Sequence, residues 1–267
     1  MHYDQITQFA QCKSDAERRQ WPFVIIINVL LWILLLVCAW IFVLIYGLLV
    51  LLLGSIFAEY HVRNLQARGV TIGPDQFSDL HEAMQEVCRK FNYTQPVRLI
   101  ILPAANYNAM ALHFIRKRAI VVYSGLLESI IDDPAQVRAL LAHELCHCKL
   151  NFAFPRRLLL YQSAKFRSAR ELTCDNAGLV ASGDLDAAVN LLRKLCAGPQ
   201  LSTMVSKSAL IQEAELINSG FAGWVLRRFI SHPPAGTRMK NLEKFSQEIE
   251  LPLKAASSGV QPAVVAS

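Results

Sequence analysis

The stretch RALLAHELCHCKL, residues 138–150, decides how the rest of this chain is read. His143 and His147 are four apart, so on a helix their imidazoles leave one face about one turn apart. That geometry can place two nitrogens on one zinc ion at about 2.0–2.1 Å each. Glu144 is rotated about 100° from His143, which stands it beside such an ion rather than on it. There it can take the proton of a metal-activated water. Leu141 and Leu145 point the other way, toward a core. Pro134 in the first turn, after Asp132 and Asp133, is ordinary helix-start chemistry. Five residues can also match by accident, and a catalytic zinc needs three protein groups and an open position. A third ligand has to be found.

SARELTCDNAGL, residues 168–179, offers one. Glu171 and Asp175 share a face of a second helix. Glu171 supplies a carboxylate ligand for a His2Glu site, with one Zn2+ per chain. Asp175 sits behind and accepts the other ring N–H of a zinc histidine, His143, fixing its tautomer. Taken alone, two acids one turn apart are a solvated helix face. The neighbouring Ala, Leu and Gly residues argue against that here.

Working outward, Trp21 to Ala58 contains no charged residue. Such a run is long enough to be embedded in a bilayer, which about twenty apolar residues span. As one helix it would reach about 57 Å against a hydrocarbon core of about 30 Å, so a two-span hairpin is expected over 21–58. Lys13, Arg18 and Arg19 before it and Arg63 and Arg68 after it then fall on one, cytoplasmic, side. The remaining divisions are a polar arm at 1–20, a linker at 59–73, a folded domain at 74–251 and a disordered tail at 252–267.

Within that domain PDQFSDLHEAMQEVCRKF reads as a helix, and PVRLIIL and RAIVVYSG as strands. NYNAMALHFIRKR, between them, holds a further strand and a turn near Arg116–Lys117. From Ser124 onward the pattern is helical. The expected fold is α+β: helix-rich, with a small, mainly antiparallel sheet of roughly three strands. Seven cysteines in no framework spacing suit a reducing compartment. A net charge of +6 without a basic run interleaved with aromatics favours an anionic leaflet over nucleic acid.

AHELCH, then SARELTCDNAG, then SHPPAGTR resemble the three signatures of the HtpX-like membrane zinc metallopeptidases, relatives of the CAAX prenyl protease. NYNAMAL followed by RAIVVYSGLL is similar to the strand region such enzymes carry before the zinc helix. The resemblance covers roughly residues 75–245, together with an N-terminal membrane anchor. It implies a zincin-like fold and a zinc-dependent endopeptidase acting on polypeptides, with membrane-protein quality control as its setting. It makes His143, His147 and Glu171 the zinc ligands and Glu144 the catalytic base. His232 would steady the oxyanion, and Arg238 would hold substrate or the loop. Asn108 would lie on the strand edging the cleft, where a peptide adds as an extra strand; as a turn residue it reads nearly as well. His2, His61, His81 and His113 have no partner spacing and read as structural. Only residues 148–170 separate His147 from Glu171, where relatives commonly place further membrane spans. This chain has no room for them, so its only anchor is N-terminal. Neutral histidines are needed for ligation, so activity is expected to fall below about pH 6. A zinc-binding sensor or scaffold without turnover, or a helical interaction module with an accidental motif, are the other readings. The first has no need of Glu144, and the second predicts no bound zinc.

Overall fold

Why β2 (Arg98–Leu102) and β4 (Lys117–Tyr123) are apolar without alternation is answered by what covers them. Leu99, Ile101, Ile120 and Val122 face the main core, while Ile100, Ala119 and Val121 form a second cluster on the opposite face. Strands buried on both faces read as continuous apolar runs. The sheet order is β1-β2-β4-β3, with β1 at Val70–Thr71 and β3 at Ala109–Phe114. The β1–β2 and β3–β4 pairings are antiparallel and the central β2–β4 pairing is parallel. The sheet is therefore mixed and has four strands. β3 forms one edge.

This computed structural model describes residues 12–114, 117–152, 163–220, 223 and 232–257. The helices are α1 (Asp15–Arg68), α2 (Ser78–Lys90), α3 (Ser124–Ile130), α4 (Pro134–Phe152), α5 (Ala164–Ser182), α6 (Leu185–Ala197), α7 (Lys207–Asn218) and α8 (Ala235–Ser257). The architecture is the helix-rich α+β arrangement expected. Arg116 of the expected turn lies outside the described residues, as do residues 1–11 of the arm and 258–267 of the tail. Residues 252–257, expected in the tail, close α8 as helix.

α4 and α5 pack directly on each other and position the site. Asp133 caps α4, its Oδ1 accepting from the Ala135 and Gln136 amides at 3.0 Å each. Ser163 caps α5, accepting from the Phe166 amide at 3.1 Å, and Gly183 ends it in the left-handed region at φ 67°. Gly178 lets the two helices approach: a Cβ there would stand 2.8 Å from the Ala139 carbonyl oxygen. α2 adds Leu80, Met84 and Val87, one stripe at helical spacing, to the same core.

Two features of the N-terminal third differ locally from expectation. α1 is helical throughout its 54 residues, with no break where a hairpin over 21–58 would turn. Residues 29–46 hold no Gly, Pro or Asn, so nothing in the middle interrupts the hydrogen-bond ladder. Two stretches of it, Asp15–Cys38 and Trp40–Arg68, are each long and apolar enough to cross a membrane. The expected linker at 59–73 is also structured. α1 continues to Arg68, Leu65 packs on the outer sheet cluster, and Val70 pairs with Ile101. Gly69 makes this junction possible, because a Cβ there would come 2.3 Å from the Ile101 carbonyl oxygen. A strand of two residues is too short to leave a period in the sequence.

The N-terminal end of α1 is docked as firmly. The Ser14 amide donates to Thr173 Oγ1 at 3.1 Å, Ser14 Oγ donates to the Ala169 carbonyl at 2.9 Å, and Asn176 Nδ2 donates to the Cys12 carbonyl at 3.0 Å. Trp21 stacks on Phe166 with ring centroids 5.6 Å apart. Both ends of the apolar helix thus rest on one body.

Candidate metal centre and cleft

His143 and His147 leave α4 on its α5 side, and Glu171 and Asp175 leave α5 on its α4 side. His143 Nε2 and His147 Nε2 are 3.1 Å apart. Glu171 Oε1 lies 3.3 Å from His147 Nε2, and Oε2 lies 3.8 Å from His143 Nε2. Ligand atoms of all three residues fall within 4.8 Å of one another. Two nitrogens bound tetrahedrally at 2.0–2.1 Å would sit roughly 3.3 Å apart, so the spacing fits one shared zinc ion.

The protons agree with that fit. Asp175 Oδ1 is 3.0 Å from His143 Nδ1. Arg238 holds the Asp175 carboxylate far below its usual range, against the opposing effect of burial, so the carboxylate can only accept. Nδ1 of His143 therefore carries the hydrogen and Nε2 keeps a lone pair aimed at the centre. His147 Nδ1 lies 3.5 Å from Cys174 Sγ. The tautomer that donates to this thiol frees a second lone pair beside the first. Burial, reinforced by the field of His143, holds His147 neutral, with its pKa lowered to about 3. Burial works against ionised Glu171, but the His232 hydrogen bond and the two zinc-facing histidines outweigh it and bring its pKa to about 2. Two lone pairs and one carboxylate, all converging, are a donor set that suits a divalent cation.

Glu144 is buried and lines the same cavity of about 680 Å³ as these donors. Burial raises its pKa above the ordinary carboxylate value, with the Glu171 charge acting the same way and His143 acting against both. Tyr107, Asn108, Met110 and Ala111 form the β3 side of this cleft, and Leu191, Leu192 and Leu195 of α6 form an apolar side. Asn108 sits at the lead-in to β3, where its Oδ1 accepts from the Ala109 amide at 2.9 Å.

His232 lies at the rim, 67% exposed, with Nδ1 2.8 Å from Glu171 Oε2. Arg238 lines the same cavity, with its guanidinium turned toward Asp175. Its Nε and Nη2 donate to Asp175 Oδ2 and Oδ1 at 2.7 and 2.6 Å, and its side chain is 13% exposed. It is a partner of Asp175, because a buried carboxylate needs a countercharge that His143 alone does not supply. The α6 leucines and Cys174 were not singled out in the sequence. Cys174 stands three residues after Glu171, a spacing that shares its face, and α6 shows an ordinary amphipathic pattern.

A helix-rich α+β body holding a His-His-Glu donor set beside a buried glutamate agrees with the zincin-like fold that the resemblance implies. Residues 74–156 match the family described as Peptidase family M48, a span that takes in α2 to α4 with His143, Glu144 and His147. The chain is also similar to the Protease HtpX homolog of Arthrobacter sp. (strain FB24), at 25% identity over 68% of this chain and 76% of that protein. No solved structure matches it. The two likenesses together support the resemblance to HtpX-like M48 metallopeptidases, and with it a protease.

Proposed function

We propose that this chain is a membrane-anchored, zinc-dependent endopeptidase. The observation that carries the proposal is the convergence of His143, His147 and Glu171 in a cleft that also contains buried Glu144. When bound, zinc supplies Lewis acidity, polarising a scissile carbonyl and acidifying a water. Glu144 takes that water's proton during attack and delivers it to the leaving amine, a shuttle that its raised pKa favours. Asp175, held by Arg238, keeps His143 in the ligating tautomer. His232 stands at the rim with Nδ1 on Glu171, and its Nε2 would donate to the oxyanion only with both ring nitrogens protonated. A polypeptide substrate extends along the open edge of β3, where β4 occupies only the other side. The lead-in at Asn108 marks the start of that edge.

The membrane part of the proposal rests on α1. Its apolar side chains are exposed from Phe23 to Tyr60 on several faces, which water does not tolerate on this scale. Both ends of the run dock on the same body, so in a bilayer the two candidate spans, Asp15–Cys38 and Trp40–Arg68, would reverse direction between them and leave both ends on one side. Lys13, Arg18, Arg19, Arg63 and Arg68 at those ends make that side the cytoplasmic one. Membrane proteins within reach of such a body are the substrates the reading favours.

Cleavage of casein by detergent-purified, zinc-loaded protein tests the reading, with wild type and Glu144→Gln side by side. The glutamine keeps the zinc ligands and removes the base. A loss of about 10²–10⁴-fold at unchanged zinc content is expected. Equal cleavage by both would sink the mechanism, and zinc binding with no cleavage by either would favour a sensor or scaffold.

A further inference from the structure

A second cavity, of about 280 Å³, lies at the base of α1 and plays no part in the centre described above. Ala16, Ala169, Leu172 and the Pro233–Pro234 pair give it an apolar wall, and Arg19 and Lys165 give it a basic rim. Both cations are exposed. Among the described residues neither makes an ion pair or a hydrogen bond, although Lys240 and Lys244 nearby are both paired with carboxylates.

Position indicates what would fill it. Arg19 stands two residues before Trp21, where the uncharged run begins, and Lys165 adjoins Phe166, on which Trp21 stacks. The cavity therefore opens at the level where a bilayer's headgroups meet its hydrocarbon. Asn218 of the same cavity follows Leu216 and Ile217, which are 73% and 43% exposed and extend the apolar surface outward. An apolar slot under two cations, one of which, Arg19, has a carboxylate in its field, Asp15, itself ion-paired with Lys244, is complementary at that depth to one amphiphile with a negative head.

We propose that this cavity binds an anionic phospholipid of the surrounding leaflet, its phosphate against Arg19 and Lys165 and an acyl chain against Leu172 and Pro234. The proposal rests on the reading of α1 as a membrane helix. It ties the bilayer to the metal centre by two short routes. Ala169 and Leu172 flank Arg170 and Glu171 on α5, and Pro233 follows His232, whose Nδ1 is 2.8 Å from Glu171. A seated lipid would buttress both the helix that carries Glu171 and the loop that presents His232.

Native mass spectrometry of the full, zinc-loaded chain tests this. The protein is extracted into detergent with equimolar dioleoyl phosphatidylglycerol and phosphatidylcholine. Retention of the anionic lipid over the zwitterionic one by on the order of tenfold is expected, since each basic residue near the surface adds to anionic attraction. Arg19→Gln with Lys165→Gln should abolish the preference. Leu172→Trp, which fills the slot, should lower retention while zinc content stays at the wild-type level. Unchanged retention in the double variant would overturn the proposal and assign the lipid to the apolar shaft of α1. Displacement by soluble glycerol phosphate would also overturn it, leaving a phosphate site without a lipid. Flotation with phosphatidylcholine vesicles separates the two readings. A chain that floats without preferring the anionic lipid refutes only the cavity proposal, whereas one that stays in solution refutes the membrane reading beneath it.

Discussion

α4 and α1 both lack an ordinary amphipathic stripe, for opposite reasons. Among the described side chains of α4 only Pro134 and Lys149 are exposed, because α2, α5, α6 and the sheet close around it. Along α1 the reverse holds: Val24, Asn28 and Val62 are buried near its ends, and the long stretch between them stays open on every face. Apolar composition alone does not separate a core helix from a membrane helix. What separates them is that protein supplies the neighbours of α4, whereas the neighbours of α1 between its docked ends must come from lipid. The polar residues follow the same division. On α4, His143, Glu144 and His147 face the metal centre and Gln136 meets the capping Asp133, while on α1 the polar residues gather where it meets the body.

The sharpest way to break this comparison is to delete the same side chain from α4 and from α1. Leu145, fully buried on the core side of α4, should cost about 2–5 kcal/mol of stability when replaced by alanine. Denaturant unfolding monitored by far-UV circular dichroism would read it. A cost below about 1 kcal/mol would mean that the site can collapse around the gap, and that α4 is less tightly enclosed than described.

A smaller effect is expected where α4 and α5 touch. Gly178→Val places a Cβ against the Ala139 carbonyl, from which it would be 2.8 Å, and forces the helices apart. Overpacking of this kind costs typically about 1–3 kcal/mol. Because His143 and His147 sit on one helix and Glu171 on the other, zinc affinity should fall with it. Retention of full zinc affinity at reduced stability would show that the donors tolerate the displacement.

Next comes the support behind the ligands. Asp175→Asn should lower zinc affinity about 10–100-fold, measured by competition with a chelator. The same variant tests a pH dependence. Burial lowers the pKa of His143, but the Asp175 hydrogen bond and charge outweigh it, leaving the value above its ordinary 6.5. Zinc requires the neutral ring, so affinity should begin to fall on acidification from a pH above 6.5, higher than an unperturbed histidine would suggest. Without the Asp175 charge this acid limb should move to lower pH. In the metal-free protein the two histidines act in opposite senses. The raised His143 contributes stability present below pH 6.5 and lost as pH rises through its folded value. His147, depressed to about 3, leaves the unfolded chain to bind protons first, so stability falls between about pH 6.5 and 3. An acid limb that stays in place in Asp175→Asn would assign it to another group.

How much of this was legible in the sequence divides along the same line. The donors of α4 and α5 were readable because i,i+4 spacing fixes a shared face whatever the rest of the chain does. β2 to β4 were readable from their apolar runs. The partner of Arg238 was not: it lies 63 residues back, and only the packing of α8 against α5 brings them together. Cys174 beside His147 depends likewise on the approach of two helices. For α1, composition announced a membrane-sized apolar run but gave no information on whether it turns, because a run that is apolar on every face carries no phase. Its docking to α5 through Ser14, Thr173 and Asn176, and to the sheet through Leu65 and β1, is a tertiary fact with no local signature.

The smallest expected effect completes the pair of deletions. Leu48 lies in the middle of α1 and is 71% exposed, with no part of the body closing over it. Leu48→Ala should therefore change the unfolding free energy of the body by less than about 0.5 kcal/mol in detergent, in the range of substitutions that remove no packing. Detergent replaces lipid around both variants alike, so the transfer term that dominates at Leu145 largely cancels at Leu48. A cost there approaching that of Leu145→Ala would require protein on the other side of Leu48. That protein would be either the second half of the same run, folded back on the first, or a second copy of the chain. Repeating the measurement across a tenfold range of protein concentration separates these, since only contact with a second copy makes the loss depend on concentration.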